Sequence, residues 1–254
     1  MVRQYNDTSE AYADSLYVLI TEPDYIVAPR GLSCYEKVNY QFVVLQPTSK
    51  PITTADSERN RKIAKYHSIE RELYLAGELR ASVWIEKASR FWKRVANPDG
   101  TINSNYGYLA LYKKSVPSAG TGQYDMELRT QWEWASRRLR EDPDTRQAYL
   151  RFSLPEHQWE GNKDQVCTMH MNFLRRSDAV SLDCPGEQLQ ACVVMRSCDV
   201  VRGLVYDMPW FIYLQEKMAA ELKLSVGPFT YFAHSLHLYE RDLETAKKMI
   251  GEII

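Results

Sequence analysis

The stretch "QVCTMHMNFLRR", residues 165–176, decides how this chain is read. Apolar and polar side chains roughly alternate along it, with the two-residue period of a half-buried strand. Its neighbours behave alike: "RQAYLRFSL" (146–154) and "LQACVVMRS" (189–197) are two further strands, and three in succession predict a mainly antiparallel core. Toward the N-terminus, "SCYEKVNYQFVVLQ" (33–46) alternates aromatic and β-branched residues as another strand, and residues 9–20 read as a short helix. Helical apolar stripes run through "RNRKIAKYHSIERELYLAGELR" (59–80) and "EKASRFWKRVA" (86–96), the latter stopped by the turn "NPDG". A third helix, "QYDMELRTQWEWASRRLRED" (123–142), is closed by Pro143. The most apolar helix is "DMPWFIYLQEKMAAELKL" (207–224), with Pro209 in its first turn, where a missing N–H does no harm. A strand near 228–238 and a terminal helix follow. Clustering of this kind predicts an α+β architecture in one domain, 1–254, rather than a regular βαβ repeat.

Composition narrows the function. With 44% hydrophobic residues, 254 residues can bury one substantial core, and no linker, low-complexity run or internal repeat divides them. No apolar run approaches the roughly 18 residues of a membrane span. The opening "MVRQYNDTSEAYADSL" is polar and acidic where a signal peptide needs an apolar centre, so a cytoplasmic location is expected. Five cysteines without a CxxC spacing suggest free thiols and no metal site. A formal net charge of −1 gives none of the long-range attraction that nucleic-acid or anionic-membrane binders use, so any anion must meet a local cluster. There is no Walker loop and no GxGxxG, which argues against a nucleotide triphosphatase or a dehydrogenase.

Cys167 is then the open question, because a cysteine at the start of a strand is ordinarily a small buried hydrophobe. Its company suggests chemistry. "INSNYGY" (102–108), "QYDM" (123–126), "DPDTR" (142–146), "VCT" (166–168), "MRSCDVVRGLVYD" (195–207) and "SLHLY" (235–239), in this order, resemble the thymidylate synthase family. The resemblance runs over most of the chain and is strongest to the pyrimidine hydroxymethylase branch, which modifies deoxycytidine monophosphate (dCMP). It implies a mixed, largely antiparallel sheet flanked by helices, and a homodimer with shared active sites.

The resemblance also implies roles. Cys167 would be the thiolate that adds to C6 of the pyrimidine and so activates C5. A free thiol has a pKa near ~8.5 and needs neighbouring positive charge to ionise at neutral pH, and Arg196 is expected to supply it while also gripping the phosphate. Ser197 would donate to the same phosphate. Arg146 would arrive from the other subunit, although Gln147 stands where the family usually has a second arginine. Arg30, in "APRGLS", matches the family's phosphate-binding loop only loosely. His237 and Tyr239 would bond the sugar 3′-hydroxyl.

Asp207 stands where thymidylate synthases carry asparagine. A carboxylate cannot donate to uracil O4, but it accepts from the cytosine amino group and stabilises a proton on N3. The structural alternative is an N-cap for the helix that follows. Glu72, in "ERELYLAGEL", is expected to be buried on its helix, with a raised pKa suited to moving protons around the base. Tyr106 would lie near the C5 proton, Asp199 would bond the pterin, and Trp92 would offer it a stacking face.

Together these imply transfer of a one-carbon unit from 5,10-methylenetetrahydrofolate to C5. Water would complete a hydroxymethyl group; hydride transfer would complete a methyl group. Thr168, where synthases place histidine, and an ending at "GEII" without the family's long closing tail favour water. A dCMP methylase, CMP as substrate, and a non-catalytic nucleotide- or RNA-binding protein are the alternatives. The stretch "DCPGEQLQAC" (183–192) reads as a lengthened loop between two core strands.

Overall fold

The longest alternating runs become the centre of one mixed sheet. In the computed structural model, which describes residues 2–114, 128–177 and 186–251, β3 (Cys34–Val44) lies antiparallel to β8 (Ser225–Tyr239). β8 runs parallel to β6 (Glu187–Met195), which pairs antiparallel with β5 (Thr168–Ser177), and β5 with β4 (Tyr149–Arg151). β1 (Arg3–Tyr5) and β2 (Tyr25–Val27) attach to β3, and the short β7 (Cys198–Asp199) pairs with the end of β8. The expected α+β class with a largely antiparallel sheet is what forms. The parallel β6–β8 pair exists because α7 (Val205–Leu222) carries the chain back across the sheet between them.

Alternation gives the sheet two unlike faces. Phe42, Phe173, Val193, Phe229 and Tyr231 are fully buried, beneath α1 (Thr8–Thr21), α6 (Gln131–Glu141) and α7. The intervening Leu174, Val194 and Phe232 are only half-buried, because the helices pack on the other face.

Local signals set most helix limits. Asp7 caps α1 by accepting from the Ser9 and Glu10 amides, and Thr130 with Glu133 forms a reciprocal capping box on α6. α6 therefore starts later than the expected 123–142; residues 123–127, with the whole "QYDM" motif, lie outside the described residues. α2 (Ser57–Leu75) ends short of the expected residue 80, since Gly77 at φ +61° turns the chain in a way other residues rarely adopt. The helix expected over 86–96 is instead two pieces, α3 (Ala81–Lys87) and α4 (Trp92–Val95). Ser89 Oγ accepts from the Phe91 amide at 3.1 Å in the break between them. The lengthened loop expected at 183–192 is shorter, because Glu187–Cys192 already belong to β6; residues 183–185 and the final 252–254 are outside the described residues.

Pro209 is not in the first turn of its helix. A π-turn, Val200–Leu204, leads directly into α7 and puts Pro209 in the helix interior. Asp199 starts that turn early by accepting from the Val201 and Arg202 amides at 2.9 and 3.0 Å. The terminal helix α8 (Leu243–Ile250) packs on α1.

Two helices approach closely at Gly107 in α5 (Tyr106–Leu111), where a Cβ would stand 1.9 Å from the Tyr74 carbonyl oxygen of α2. Gly107→Ala is accordingly expected to destabilise the protein by about 3 kcal/mol in urea unfolding. Gly186→Ala, whose added carbon meets nothing within 4 Å, should stay within about 0.5 kcal/mol of the parent. Equal, small effects of the two would contradict the packing described.

Candidate active site

Cys167 is the last residue before β5, beside a register shift between Thr168 and His170 that redirects the strand start. Across the β5–β6 pair, the Arg196 amide donates to the Cys167 carbonyl at 2.9 Å. The Arg196 guanidinium folds back over the same turn, with Nε donating to the Val166 carbonyl at 3.0 Å and Nη2 to that of Gln165 at 2.6 Å. Nη2 also lies 3.6 Å from the Cys167 sulfur. The two residues meet as expected, but the expected ionisation does not follow. Burial pushes the Cys167 thiol up to about 11, outweighing the lowering by Arg196 and, more weakly, by Arg30. The resting thiol keeps its proton.

The "INSNY" segment proves to be scaffolding for a tyrosine. Buried Asp164 accepts from the Asn103 amide at 2.6 Å, the Ser104 amide at 2.8 Å and the Ser104 hydroxyl. Asn105 caps α5 by accepting from the Tyr108 amide at 2.7 Å, and it donates to the Glu78 carbonyl at 2.8 Å. Tyr106 is thereby fixed in the interior, hydrogen-bonded to Thr168, and close enough for the charges of Asp207 and Cys167 to raise its phenol further.

Asp207 comes from the first turn of α7 but does not cap it: Leu204 is the cap residue, and no side chain bonds the helix start. The capping alternative is therefore set aside. Gly203 makes room for the carboxylate, since a Cβ there would lie 3.3 Å from Asp207 Oδ2 and 3.3 Å from Cys198 Sγ. Burial, and after it the charge of Asp199, raises Asp207 to about 7.

Glu72 has to be corrected. Its side chain is 69% exposed and pairs with Lys87 at 3.3 Å, because it lies off the apolar stripe of α2. The buried acid is Glu70, 7% exposed and raised to about 8 by burial and then by Asp207, with the Tyr66 and Tyr74 hydroxyls bonding it and working in the other direction. The signal was present in the sequence: Ile63, His67, Glu70 and Tyr74 recur at the spacing of one helix face, and Glu72 falls between its turns.

Trp92 also differs from expectation. It is 4% exposed, 4.4 Å from Trp84 between ring centroids, and its indole N–H donates to Tyr66 Oη at 3.2 Å. Packing has taken the face expected to be free, and the neighbouring Phe91 is the exposed ring, at 52%.

His237 and Tyr239 sit at the end of β8, both buried, with ring centroids 5.1 Å apart. His237 is in register with Asp199; burial lowers its pKa and the Asp199 charge opposes that. Ser197 follows Arg196 and is half-buried. Arg30 is exposed and held at φ 56°, a left-handed conformation that side chains seldom occupy. Arg146 is exposed on the connection before β4, and because Tyr149 pairs with Asn172 and Arg151 with His170, that connection leads toward the end of β5 away from Cys167. Among the described residues there is no cluster of His, Cys, Asp and Glu suited to a metal, and no helix long and apolar enough to cross a membrane.

The family model for thymidylate synthase matches residues 33–252. The chain belongs to the thymidylate synthase family. It is 27% identical over 237 residues to the deoxycytidylate 5-hydroxymethyltransferase of Enterobacteria phage T4, covering 89% of this chain and 84% of that one. A thymidylate synthase of Buchnera aphidicola subsp. Schizaphis graminum is 26% identical over 181 residues, covering 71% and 61%. Among solved structures, thermostable thymidylate synthase A from Bacillus subtilis has a TM-score of 0.68 over 96% of this chain and 84% of that one, at 17% identity, which is a likeness of fold.

The thymidylate synthase fold here buries an acid that costs stability once ionised. Glu70 moves from an ordinary 4.5 to about 8, so its protonated form stabilises the fold fully below about pH 4, and that contribution is lost as pH rises through about 8. Glu70→Gln, which imitates the protonated form, should match the parent's stability near pH 4 and exceed it by roughly 2 kcal/mol or more near pH 9. Thermal melts across that range would check this; a variant less stable at both ends would contradict it.

Proposed function

We propose that this thymidylate synthase family member hydroxymethylates C5 of dCMP: 5,10-methylenetetrahydrofolate, water and dCMP give 5-hydroxymethyl-dCMP and tetrahydrofolate. The observation that carries the reading is Asp207, a buried carboxyl raised to about 7, where synthases would present an amide. At that pKa it donates a proton to cytosine N3 while accepting from the N4 amino group. As the thiol adds at C6, the proton moves to N3 and takes up the developing charge. Uracil N3 already carries hydrogen, so a protonated Asp207 could pair with uracil but could not hand N3 a proton to take up the charge that develops, and the ionised form would face O4 with acceptor opposed to acceptor. The name of the phage T4 relative, deoxycytidylate 5-hydroxymethyltransferase, supports the same base and product.

Cys167 passes its proton to solvent as it adds, and Arg196 and Arg30 both favour the thiolate. Arg196, Ser197 and Arg30 take the phosphate, and His237 and Tyr239 take the sugar hydroxyl. Tyr106, its phenol kept protonated by burial, stands beside the thiol, where its oxygen orients a water that takes the C5 proton. Glu70, rather than Glu72, takes a proton from the water that attacks the exocyclic methylene on the base, and its pKa of about 8 makes it an effective base near neutral pH.

The residues present fit a folate. A cavity of about 370 Å³ is lined by Ser89, Arg90, Phe91, Lys93, Arg94 and Arg202, an exposed ring among cations that suits an aromatic ligand ending in carboxylates. Asp199 offers its Oδ2 to the pterin, since Oδ1 caps the π-turn, and Trp92 contributes only what packing leaves accessible. Bound there, the folate supplies a carbon at the oxidation level of formaldehyde.

A homodimer completes the site. The sheet face without helices offers the area for a second copy, and Arg146, exposed and remote from its own Cys167, is available to the partner's phosphate.

Incubation with dCMP, CMP or dUMP and methylenetetrahydrofolate in oxygen-18 water tests the reading. The expected product is 5-hydroxymethyl-dCMP carrying the label, with tetrahydrofolate released. Unlabelled 5-methyl-dCMP with stoichiometric dihydrofolate would assign a methylase instead, and turnover of CMP or dUMP in preference to dCMP would overturn the substrate.

A further inference from the structure

Tyr66, Glu70 and Tyr74 follow one another at intervals of four residues along α2, so their side chains stack on one helix face. Both tyrosine hydroxyls hydrogen-bond the Glu70 carboxyl. Tyr66 has a second partner: the indole N–H of Trp92 approaches its oxygen at 3.2 Å. An indole N–H can only donate. Tyr66 Oη is therefore the acceptor from Trp92, and its own hydrogen is left for Glu70. The result is a one-way chain, Trp92 to Tyr66 to Glu70, from the segment that lines the Phe91 cavity to the buried acid.

The rings are fixed independently of these bonds. Tyr66 packs on Tyr206 with centroids 4.6 Å apart, and Tyr74 packs on Trp84, Tyr106 and Trp210. Loss of one hydroxyl would leave this packing in place while changing what Glu70 faces. The other group acting on Glu70 is Asp207 from α7, and Glu70 in turn acts on Tyr206, as Arg59 and Arg202 do.

We infer that Tyr66 is a positioning residue for the reaction: it orients and tunes Glu70 as the base toward water, and through Trp92 it ties that acid to the folate side of the site. This rests on the hydroxymethylase reading for the reaction that Glu70 serves. The hydrogen-bond chain itself does not depend on it. Donation from Tyr66 favours the ionised carboxylate, so its removal makes Glu70 harder to deprotonate.

The test is Tyr66→Phe in the full chain, with Glu72→Gln as control. In the variant, the limb of the kcat pH profile that reports Glu70 should move up by about one pH unit, and kcat near pH 7 should fall about tenfold with the KM for dCMP nearly unchanged. Trp92→Phe should shift the limb in the same direction by less, and adding it to Tyr66→Phe should have no further effect on the limb. Glu72→Gln should leave the profile where it is. A second readout needs no substrate: carbon-13 NMR of labelled glutamate carboxyls, with the Glu70 signal assigned by its loss in Glu70→Gln, should show the same upward shift in Tyr66→Phe. An unmoved Glu70 titration in Tyr66→Phe overturns the inference. If the parent enzyme fails to turn over dCMP while the NMR shift is seen, the hydroxymethylase reading fails and the tuning of Glu70 by Tyr66 stands.

Discussion

Two carboxyl groups from different helices, Glu70 of α2 and Asp207 of α7, are buried close enough for the charge of Asp207 to raise Glu70, and no cation is among the groups that shift either of them. Burying one uncompensated carboxylate is costly, and burying two with like charge costs more. The fold meets this by protonation: both acids are pushed toward neutral pH, and the Tyr66 and Tyr74 hydroxyls moderate Glu70 alone. Much of the surrounding design follows from holding these helices together. Gly107 lets α5 settle onto α2, the π-turn capped by Asp199 launches α7, and Gly203 leaves room for Asp207.

The same burial raises Cys167 to about 11 even with a guanidinium nitrogen 3.6 Å from its sulfur. If Cys167 is the proposed nucleophile, such a site holds it in reserve, because a resting thiol is less exposed to oxidation than a thiolate. On the proposed reading, reactivity arises only with the pyrimidine in place, when Asp207 takes up charge at the ring as the sulfur–carbon bond forms.

The sheet was legible because a period of two residues is written directly into β3, β5, β6 and β8. Motif order made the meeting of Cys167 with Arg196, and the depth of Tyr106, readable as family features. What could not be read depended on contacts between distant segments. The break between α3 and α4 needs Trp84 against Trp92, and the same contact removes the free ring face expected of Trp92. The pKa of Cys167 depends on how much protein surrounds it, which no local string records. Glu72 was a different kind of miss, for the helical period that marks Ile63, His67 and Tyr74 also marks Glu70.

The central claim is that a buried acid at position 207 makes this site a reader of cytosine. Its most direct test is the ratio of kcat/KM for dCMP over dUMP in the parent and in Asp207→Asn. An asparagine amide donates to O4 and accepts from N3–H, so the account predicts that preference swings toward dUMP by about 10³ or more. A variant that folds and keeps the parent's base preference would contradict it.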